Sequence, residues 1–204
     1  LYAVYANAGY GLEKPILEMS DAEMRAIFEV NFFGTLNLIR PAIEHFRAQP
    51  SAPERGGWRG HVLICSSCLA RLSIPFYGAY AATKAAQAHV GGALRLELEP
   101  ERIAVSTVHP ITTRTELFDQ VKTRSGLTEV KPHAPKWLEQ DAEVVAACTL
   151  RCLRRPRPEV WTNFKGAFVR AGMSVCSLVP GLSDGAGRKM VAGKKIVRPD
   201  GEAK

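Results

Sequence analysis

A tyrosine and a lysine stand four residues apart in the segment Tyr80-Ala81-Ala82-Thr83-Lys84. Side chains at this spacing share one face of a helix. A neighbouring ammonium group favours the phenolate, and it therefore lowers the pKa of a tyrosine from about 10. Such a phenol would exchange protons near neutral pH, which suits general acid–base catalysis. A chance pair on a helix surface would have the same spacing. The other polar residues must therefore decide whether this pair is catalytic.

Three further groups of polar residues stand beside apolar segments. Ser67 follows the apolar run at residues 61–65, where a serine hydroxyl would be placed to bind a carbonyl oxygen. Asn31 lies within an apolar stretch, and a buried amide needs hydrogen-bond partners. It fits a satisfied core amide as well as a functional residue. The triplet Asn7-Ala8-Gly9 follows the apolar run at residues 1–6.

Short apolar runs alternate along the chain with long helical patterns. The predicted strands are residues 1–6, 61–65, 103–108 and, as a short fourth strand, 158–161. The predicted helices are residues 20–47, 77–99 and 139–153, and the predicted loops are residues 49–60 and 110–138. Strands that alternate with long helices form parallel sheets covered on both faces. The sequence therefore predicts an α/β fold.

Ligand sites in open α/β sheets lie beyond the carboxyl ends of the strands. Three predicted loops leave the strands at that edge, at residues 7–11, 66–77 and 110–117. We expect these loops to meet, and Ser67 and Tyr80 to lie close together there.

The ordered motifs resemble those of the short-chain dehydrogenase/reductase family. Asn7-Ala8-Gly9 resembles the family's Asn-Asn-Ala-Gly, and Asn31 stands in an Asn-x-x-Gly motif. Ser67, Tyr80 and Lys84 follow in the family's order, and residues 110–115 resemble its Pro-Gly-x-Val-x-Thr. The resemblance extends from residue 1 to about residue 161, and it implies a Rossmann-like parallel sheet with helices on both faces.

The resemblance implies a role for each matched residue. Tyr80 would be the catalytic acid or base, and Lys84 would lower its pKa and hold the nicotinamide ribose. Ser67 would orient the reacting carbonyl, and Asn31 would anchor a water molecule in a proton relay. The residues implied in cofactor binding are Asn7, Ala8, Gly9, Tyr80, Lys84, Pro110, Thr113 and Thr115.

The implied reaction is hydride transfer between NAD or NADP and an alcohol/carbonyl pair. The cofactor supplies the hydride chemistry in such enzymes, and the protein supplies positioning and proton transfer. The expected substrate is a small-to-medium apolar alcohol or ketone. Family members commonly form homo-oligomers through the two long helices. The odd number of cysteines, five in all, fits a reducing compartment, so a cytoplasmic location is expected.

Two departures from the family pattern limit this interpretation. Ile111 replaces the usual glycine after Pro110, and its Cβ would crowd backbone that approaches the cofactor. The chain is also expected to lack the first three βα units of the family fold, including the glycine-rich loop that binds the pyrophosphate. The alternative interpretation is therefore an inactive fragment that serves as a binding or scaffold module.

The carboxyl-terminal segment differs in character from the rest of the chain. Residues 1–161 are expected to form the catalytic part, and residues 162–204 a basic helical extension that covers the substrate. The motif at residues 181–187 matches Gly-x-x-x-Gly-x-Gly, but only 17 residues follow it. A dinucleotide-binding unit takes roughly 30. A permuted phosphate loop is therefore disfavoured.

Charge and cysteine content suggest further alternatives. The net charge is +7, and residues 151–204 carry 12 Lys/Arg against 4 Asp/Glu. This basic segment would attract nucleic acid or anionic lipid, although no nucleic-acid motif accompanies it. Contact with a membrane surface through Phe168, Val169, Met173, Val175 and Leu178 is an alternative, but a flap over the substrate is the favoured interpretation, and no nucleic-acid partner is expected. The pairs Cys65/Cys68 and Cys148/Cys152 do not resemble a compact zinc module, so no metal is expected.

Overall fold

The computed structural model describes residues 1–127, 135–179, 181–182 and 184–192. Lys194 and Lys195, part of the basic tail, lie outside the described residues. The strands are β1 (Ala3–Ala6), β2 (Gly60–Cys65), β3 (Ile103–His109), β4 (Thr113–Arg114), β5 (Gln140–Asp141) and β6 (Glu159–Trp161). The α-helices are α1 (Asp21–Phe28), α2 (Gly34–Ala48), α3 (Gly78–Leu98), α4 (Leu117–Ser125), α5 (Ala142–Arg154), α6 (Asn163–Leu178) and α7 (Asp184–Ala192).

The main sheet has the strand order β1-β2-β3-β6, and its strands are parallel. Successive residues of β2 point to opposite faces, so Val62 and Ile64 pack with α2 around Phe46, whereas Leu63 packs with α5 around Cys148. Helices therefore cover both faces of the sheet. The predicted α/β fold is confirmed.

The helix predicted over residues 20–47 is interrupted by a π-helical turn, Glu29–Phe33, between α1 and α2. Asn31 lies in this turn, and long-range hydrogen bonds hold its side chain, as described below. The loop predicted over residues 110–138 is also only partly correct, because it contains β4 and α4. The helix predicted over residues 139–153 begins only at Ala142, because Gln140–Asp141 pair with β4 as β5. In α4 one residue, Val121, is buried, and so short an apolar face gives a weak periodic signal.

The long helices carry no bilayer-spanning segment in the part of the chain that the structure describes, since none of them is both long and apolar enough.

The beginning of α1 is closed by reciprocal hydrogen bonds between Ser20 and Glu23. The backbone N–H of Glu23 donates to Ser20 Oγ at 3.2 Å, and the backbone N–H of Ser20 donates to Glu23 Oε2 at 2.8 Å. This capping box satisfies two N–H groups that lack partners within the helix. The hydrogen bond from the Ser20 backbone lowers the pKa of the Glu23 carboxyl group, and the hydrogen bond from Lys14 lowers it further.

Ser20→Ala is expected to lower the free energy of unfolding by about 1 kcal/mol, because it leaves the N–H of Glu23 without its cap. Urea denaturation measures the change. Ser51→Ala in the exposed loop before β2 is the matched control and should leave stability nearly unchanged. Equal effects of the two substitutions would contradict the capping role.

Candidate active site

The loops that follow β1, β2 and β3 meet in one cleft at the carboxyl edge of the sheet, with a cavity volume of about 1280 Å³. Helix α4 and one face of α6 form further walls. The residues predicted at the site that line this cleft are Asn7, Gly9, Ser67, Tyr80, Lys84, Pro110, Thr113 and Thr115. The expected meeting of the three loops is therefore observed.

Ser67, Tyr80 and Lys84 form the polar end of the cleft. The Ser67 hydroxyl lies close enough to Tyr80 to lower the pKa of its phenol. Lys84 is 4% exposed, and its Nζ donates to the backbone carbonyl of Cys65 at 2.8 Å. The same Nζ lies 5.6 Å from the centroid of the Tyr80 ring. A hydroxyl pair and a buried ammonium are thus held together by β2 and the first turns of α3.

The pKa of Tyr80 differs from the sequence-based expectation. Burial raises the pKa of this phenol well above its usual value; Cys65 raises it further, whereas the Ser67 hydroxyl lowers it. Burial also lowers the pKa of Lys84. Because Lys84 Nζ is directed to the carbonyl of Cys65, it does not offset the loss of water around the phenol. The expected lowering of the Tyr80 pKa is therefore not observed in this structure.

Asn31 is fully buried and is not among the residues that line the cleft. Its Oδ1 accepts from the backbone N–H of Tyr10 at 2.9 Å. Its Nδ2 donates to the Tyr10 carbonyl at 2.9 Å and to Thr83 Oγ1 at 3.0 Å. Its backbone carbonyl accepts from Thr35 Oγ1 at 2.9 Å and Gln87 Nε2 at 2.6 Å. These bonds tie the π-helical turn to the loop after β1 and to α3.

Two residues of this network were not singled out from the sequence. The Thr83 hydroxyl donates to the backbone carbonyl of Tyr80 at 2.8 Å, while it accepts from Asn31. Gln87 is 1% exposed and bridges Asn31 and Thr35. Their positions three and seven residues after Tyr80 place them near the same face of α3, and that spacing was the available signal.

The predicted cofactor-binding residues divide into two groups. Asn7, Gly9 and Pro110 border the cleft, whereas Ala8 is exposed and is not among its lining residues. A Cβ at Gly9 would lie 3.0 Å from Asn31 Oδ1 and 3.4 Å from Lys84 Nζ. Backbone here therefore approaches the polar end more closely than most side chains permit.

The segment after β3 also lines the cleft. Thr113 Oγ1 donates to the carbonyl of Ile111 at 2.7 Å and accepts from Gln140 Nε2 at 3.2 Å. Thr115 Oγ1 accepts from the backbone N–H of Leu117, at the start of α4, at 3.4 Å. Ile111 is 5% exposed and lines the cleft, so its side chain occupies the place where the family has glycine.

The four cysteines considered as two pairs have different surroundings. Cys65 and Cys68 line the cleft, and burial raises the pKa of the Cys68 thiol to about 11. Cys148 and Cys152 are buried against Leu63 on the far face of the sheet. Within the described ranges, no group of three or more His, Cys, Asp or Glu side chains is arranged to hold a metal ion.

Comparison with known proteins places the chain in a family. The family model described as short chain dehydrogenase matches residues 1–126. The chain therefore belongs to the short-chain dehydrogenase family. Its fold agrees with a short chain dehydrogenase from Burkholderia cenocepacia J2315 solved in complex with NADP, with a TM-score of 0.68 and 26% identity over 87% of this chain and 66% of that one.

Two curated relatives each match somewhat more than half of the chain. The uncharacterized oxidoreductase YbbO of Escherichia coli K12 is 36% identical over 121 residues, which are 59% of this chain and 42% of the relative. Retinol dehydrogenase 8 of Bos taurus is 33% identical over 121 residues, which are 57% of this chain and 36% of the relative. The chain thus spans less than half the length of these relatives.

Proposed function

We propose that this chain is the catalytic part of an oxidoreductase that transfers a hydride between NAD or NADP and an alcohol/carbonyl pair. The observation that carries the proposal is the convergence of Ser67, Tyr80 and Lys84 at the polar end of one cleft. Membership of the short-chain dehydrogenase family and the NADP complex of the Burkholderia protein support it.

The residues around the polar end fit the nicotinamide half of such a cofactor. Glycine at position 9 leaves room for close approach, and the donors and acceptors there are an amide, hydroxyls and an ammonium group. Lys84 Nζ would bind ribose hydroxyls, with Asn7, Thr113 and Thr115 beside it. When bound, the cofactor supplies or accepts the hydride.

Tyr80 would donate a proton to the substrate oxygen during carbonyl reduction and accept one during alcohol oxidation. Ser67 Oγ accepts from the backbone N–H of Leu69 at 3.1 Å, which directs a lone pair toward the backbone and leaves the hydroxyl hydrogen to donate. Ser67 would therefore polarise the carbonyl, while Thr83 holds the backbone of Tyr80 in place. Thr83 is a positioning residue because it acts through Tyr80.

The walls beyond the polar end indicate the substrate class. They are built from apolar side chains of the loop after β2, of α4 and of α6: Leu69, Leu72, Ile74, Phe118, Val169 and Met173. Apolar walls with a few convergent polar groups are typical of small-molecule sites. We therefore propose an apolar alcohol or ketone as the substrate.

A binding or scaffold role is the second candidate, since the chain spans less than half the length of YbbO and of retinol dehydrogenase 8 from Bos taurus. Titration of the chain with NADPH and NADH, followed by calorimetry, separates the two. Saturable binding that Lys84→Met weakens and Lys189→Met leaves unchanged would support the enzyme. The control replaces an exposed lysine of α7. Failure of both cofactors to bind would favour the scaffold.

The raised pKa of Tyr80 predicts opposite pH profiles for the two directions. Reduction needs the neutral phenol, and a raised pKa keeps the phenol neutral to higher pH. Reduction should therefore be flat through the neutral range and fall only at alkaline pH, whereas oxidation, which needs phenolate, should rise with pH. Profiles of kcat/KM in both directions measure this. A reduction rate that already falls at neutral pH would contradict it.

A further inference from the structure

Helix α6 has three faces with different surroundings. One face, with Val169, Met173 and Cys176, lines the cleft. The opposite face carries Arg170, whose guanidinium lies 3.6 Å from Glu159 at the end of the sheet. The third face borders the cleft face and points into solvent. It carries apolar residues at a helical spacing that aligns them in one stripe.

We define the apolar rim as Phe168, Val175, Leu178, Val179 and Leu182, along this third face and the turn after α6. Phe168 stands at the border of the two faces, because it also lines the cleft. Their exposed fractions range from 50% at Val175 to 82% at Leu178. The ring of Trp137, itself 57% exposed, contacts Phe168 edge-on with 6.4 Å between centroids. Single exposed apolar residues are ordinary, but a contiguous set marks a docking surface.

The segment that contains the apolar rim is rich in basic residues. Residues 151–204 carry 12 Lys/Arg against 4 Asp/Glu, whereas residues 1–150 carry 15 against 16. The whole excess of positive charge therefore belongs to the segment that contains the rim. Arg188 of α7, the helix that follows the rim along the chain, is 82% exposed and pairs with the exposed Asp184 at 3.7 Å, and its neighbour Lys189 is also exposed. Apolar side chains beside basic ones are typical of surfaces that lie on anionic lipid.

We propose that the apolar rim docks on an anionic phospholipid bilayer. A second copy of the chain fits less well, because two equally basic surfaces would repel each other. Residues 193–204 fit less well for the same reason, since they carry four Lys/Arg and two Asp/Glu. The bilayer supplies both the apolar interior and the negative headgroups that this surface lacks.

Docking in this orientation would turn the cleft toward the lipid, because the rim and the cleft wall are adjacent faces of one helix. An apolar alcohol or ketone would then enter the cleft past Phe168 without crossing water. This delivery step rests on the proposed function, whereas the docking itself does not. A binding assay without catalysis therefore distinguishes failure of the docking from failure of the enzyme assignment.

Flotation with phosphatidylcholine vesicles, with and without phosphatidylserine, tests the proposal, since aggregated protein does not float. We expect the chain to float with the anionic vesicles and about tenfold less with the neutral ones. The double substitution Leu178→Asp/Val179→Asp should reduce flotation about tenfold or more, because it puts charge against the acyl region. Leu17→Asp, at a leucine 98% exposed elsewhere, should change nothing.

Three results would overturn the proposal. The first is absence of flotation with anionic vesicles, and the second is equal loss for Leu17→Asp and the double variant. The third is a stable dimer in sedimentation equilibrium that the double variant dissociates while vesicles leave the parent unbound. Far-ultraviolet circular dichroism of each variant confirms folding, and Arg188→Glu, which keeps the apolar rim intact, should still reduce flotation with anionic vesicles.

Discussion

Tyr80→Phe is expected to lower kcat for carbonyl reduction by roughly 10²–10⁴-fold, the usual contribution of a positioned general acid. The substitution removes the phenol hydroxyl whose pKa Ser67 lowers, on the ring that lies 5.6 Å from Lys84 Nζ. The ring remains, so packing against the buried cluster that contains Leu12 and Ile27 is retained. The fall should appear in kcat rather than KM, because the lost interaction matters most when the proton moves.

Tyr77→Phe is the matched control, one turn before Tyr80 and also at the cleft. The Tyr77 hydroxyl donates to Glu13 Oε2 at 3.0 Å, so its loss should cost stability while kcat changes little. Steady-state kinetics with NADPH and urea denaturation of both variants separate the two effects. If Tyr80→Phe leaves kcat intact, the assignment of the proton donor is wrong.

Gly60→Ala is expected to give the largest loss of stability of the substitutions considered, about 3 kcal/mol. Gly60 begins β2, and a Cβ there would lie 2.2 Å from Cγ of Phe46, whose ring is fully buried. Neither the strand nor the ring can move without disturbing the core on that face of the sheet. Overpacking of this kind typically costs 1–3 kcal/mol, and occasionally more. Urea denaturation measures the loss.

Two comparisons make this prediction specific. Gly92→Ala, on the exposed side of α3 where a Cβ meets nothing within 4 Å, should instead stabilise the chain by roughly 0.5–1 kcal/mol. In the Gly60→Ala background, Phe46→Leu should cost less than it does in the parent, because the smaller side chain relieves the clash. Additive effects would show that the ring and the new methyl group do not meet.

Strands β1 to β3 were predictable from the sequence because each is a short apolar run, and α1 because Ser20 and Glu23 form a local capping pattern. The two-residue strands β4 and β5 were not, because their residues are polar and carry no such signal. The positions of the strands also predicted which loops meet at the cleft, because the carboxyl ends of parallel strands lie at one edge of the sheet. The π-helical turn was not predictable, since bonds from Asn31 to the distant residues Tyr10 and Thr83 stabilise it. Such contacts exist only after the chain has folded.

The electrostatics of the site were also beyond the sequence. The spacing of Tyr80 and Lys84 predicted their shared helix face, but it could not reveal that Lys84 Nζ donates to the carbonyl of Cys65. The pKa of Tyr80 depends on whether the ammonium group of Lys84 is directed at the phenol or away from it, because only the former would offset the effect of burial. Helix α4 was missed for a related reason. It packs along the cleft and buries one residue, Val121, so its sequence has little apolar periodicity.

The π-helical turn at Glu29–Phe33 also bears on which insertions and deletions the chain tolerates. A π turn contains one residue more than the α-helical turn it replaces. Deleting a single residue there would restore a regular helix, and helix content would hardly change. It would nevertheless rotate α1 relative to α2 and withdraw the Asn31 carbonyl from Gln87. A one-codon deletion at this position would thus preserve the secondary structure but remove the hydrogen bonds by which Asn31 holds Thr83 and Gln87 of α3.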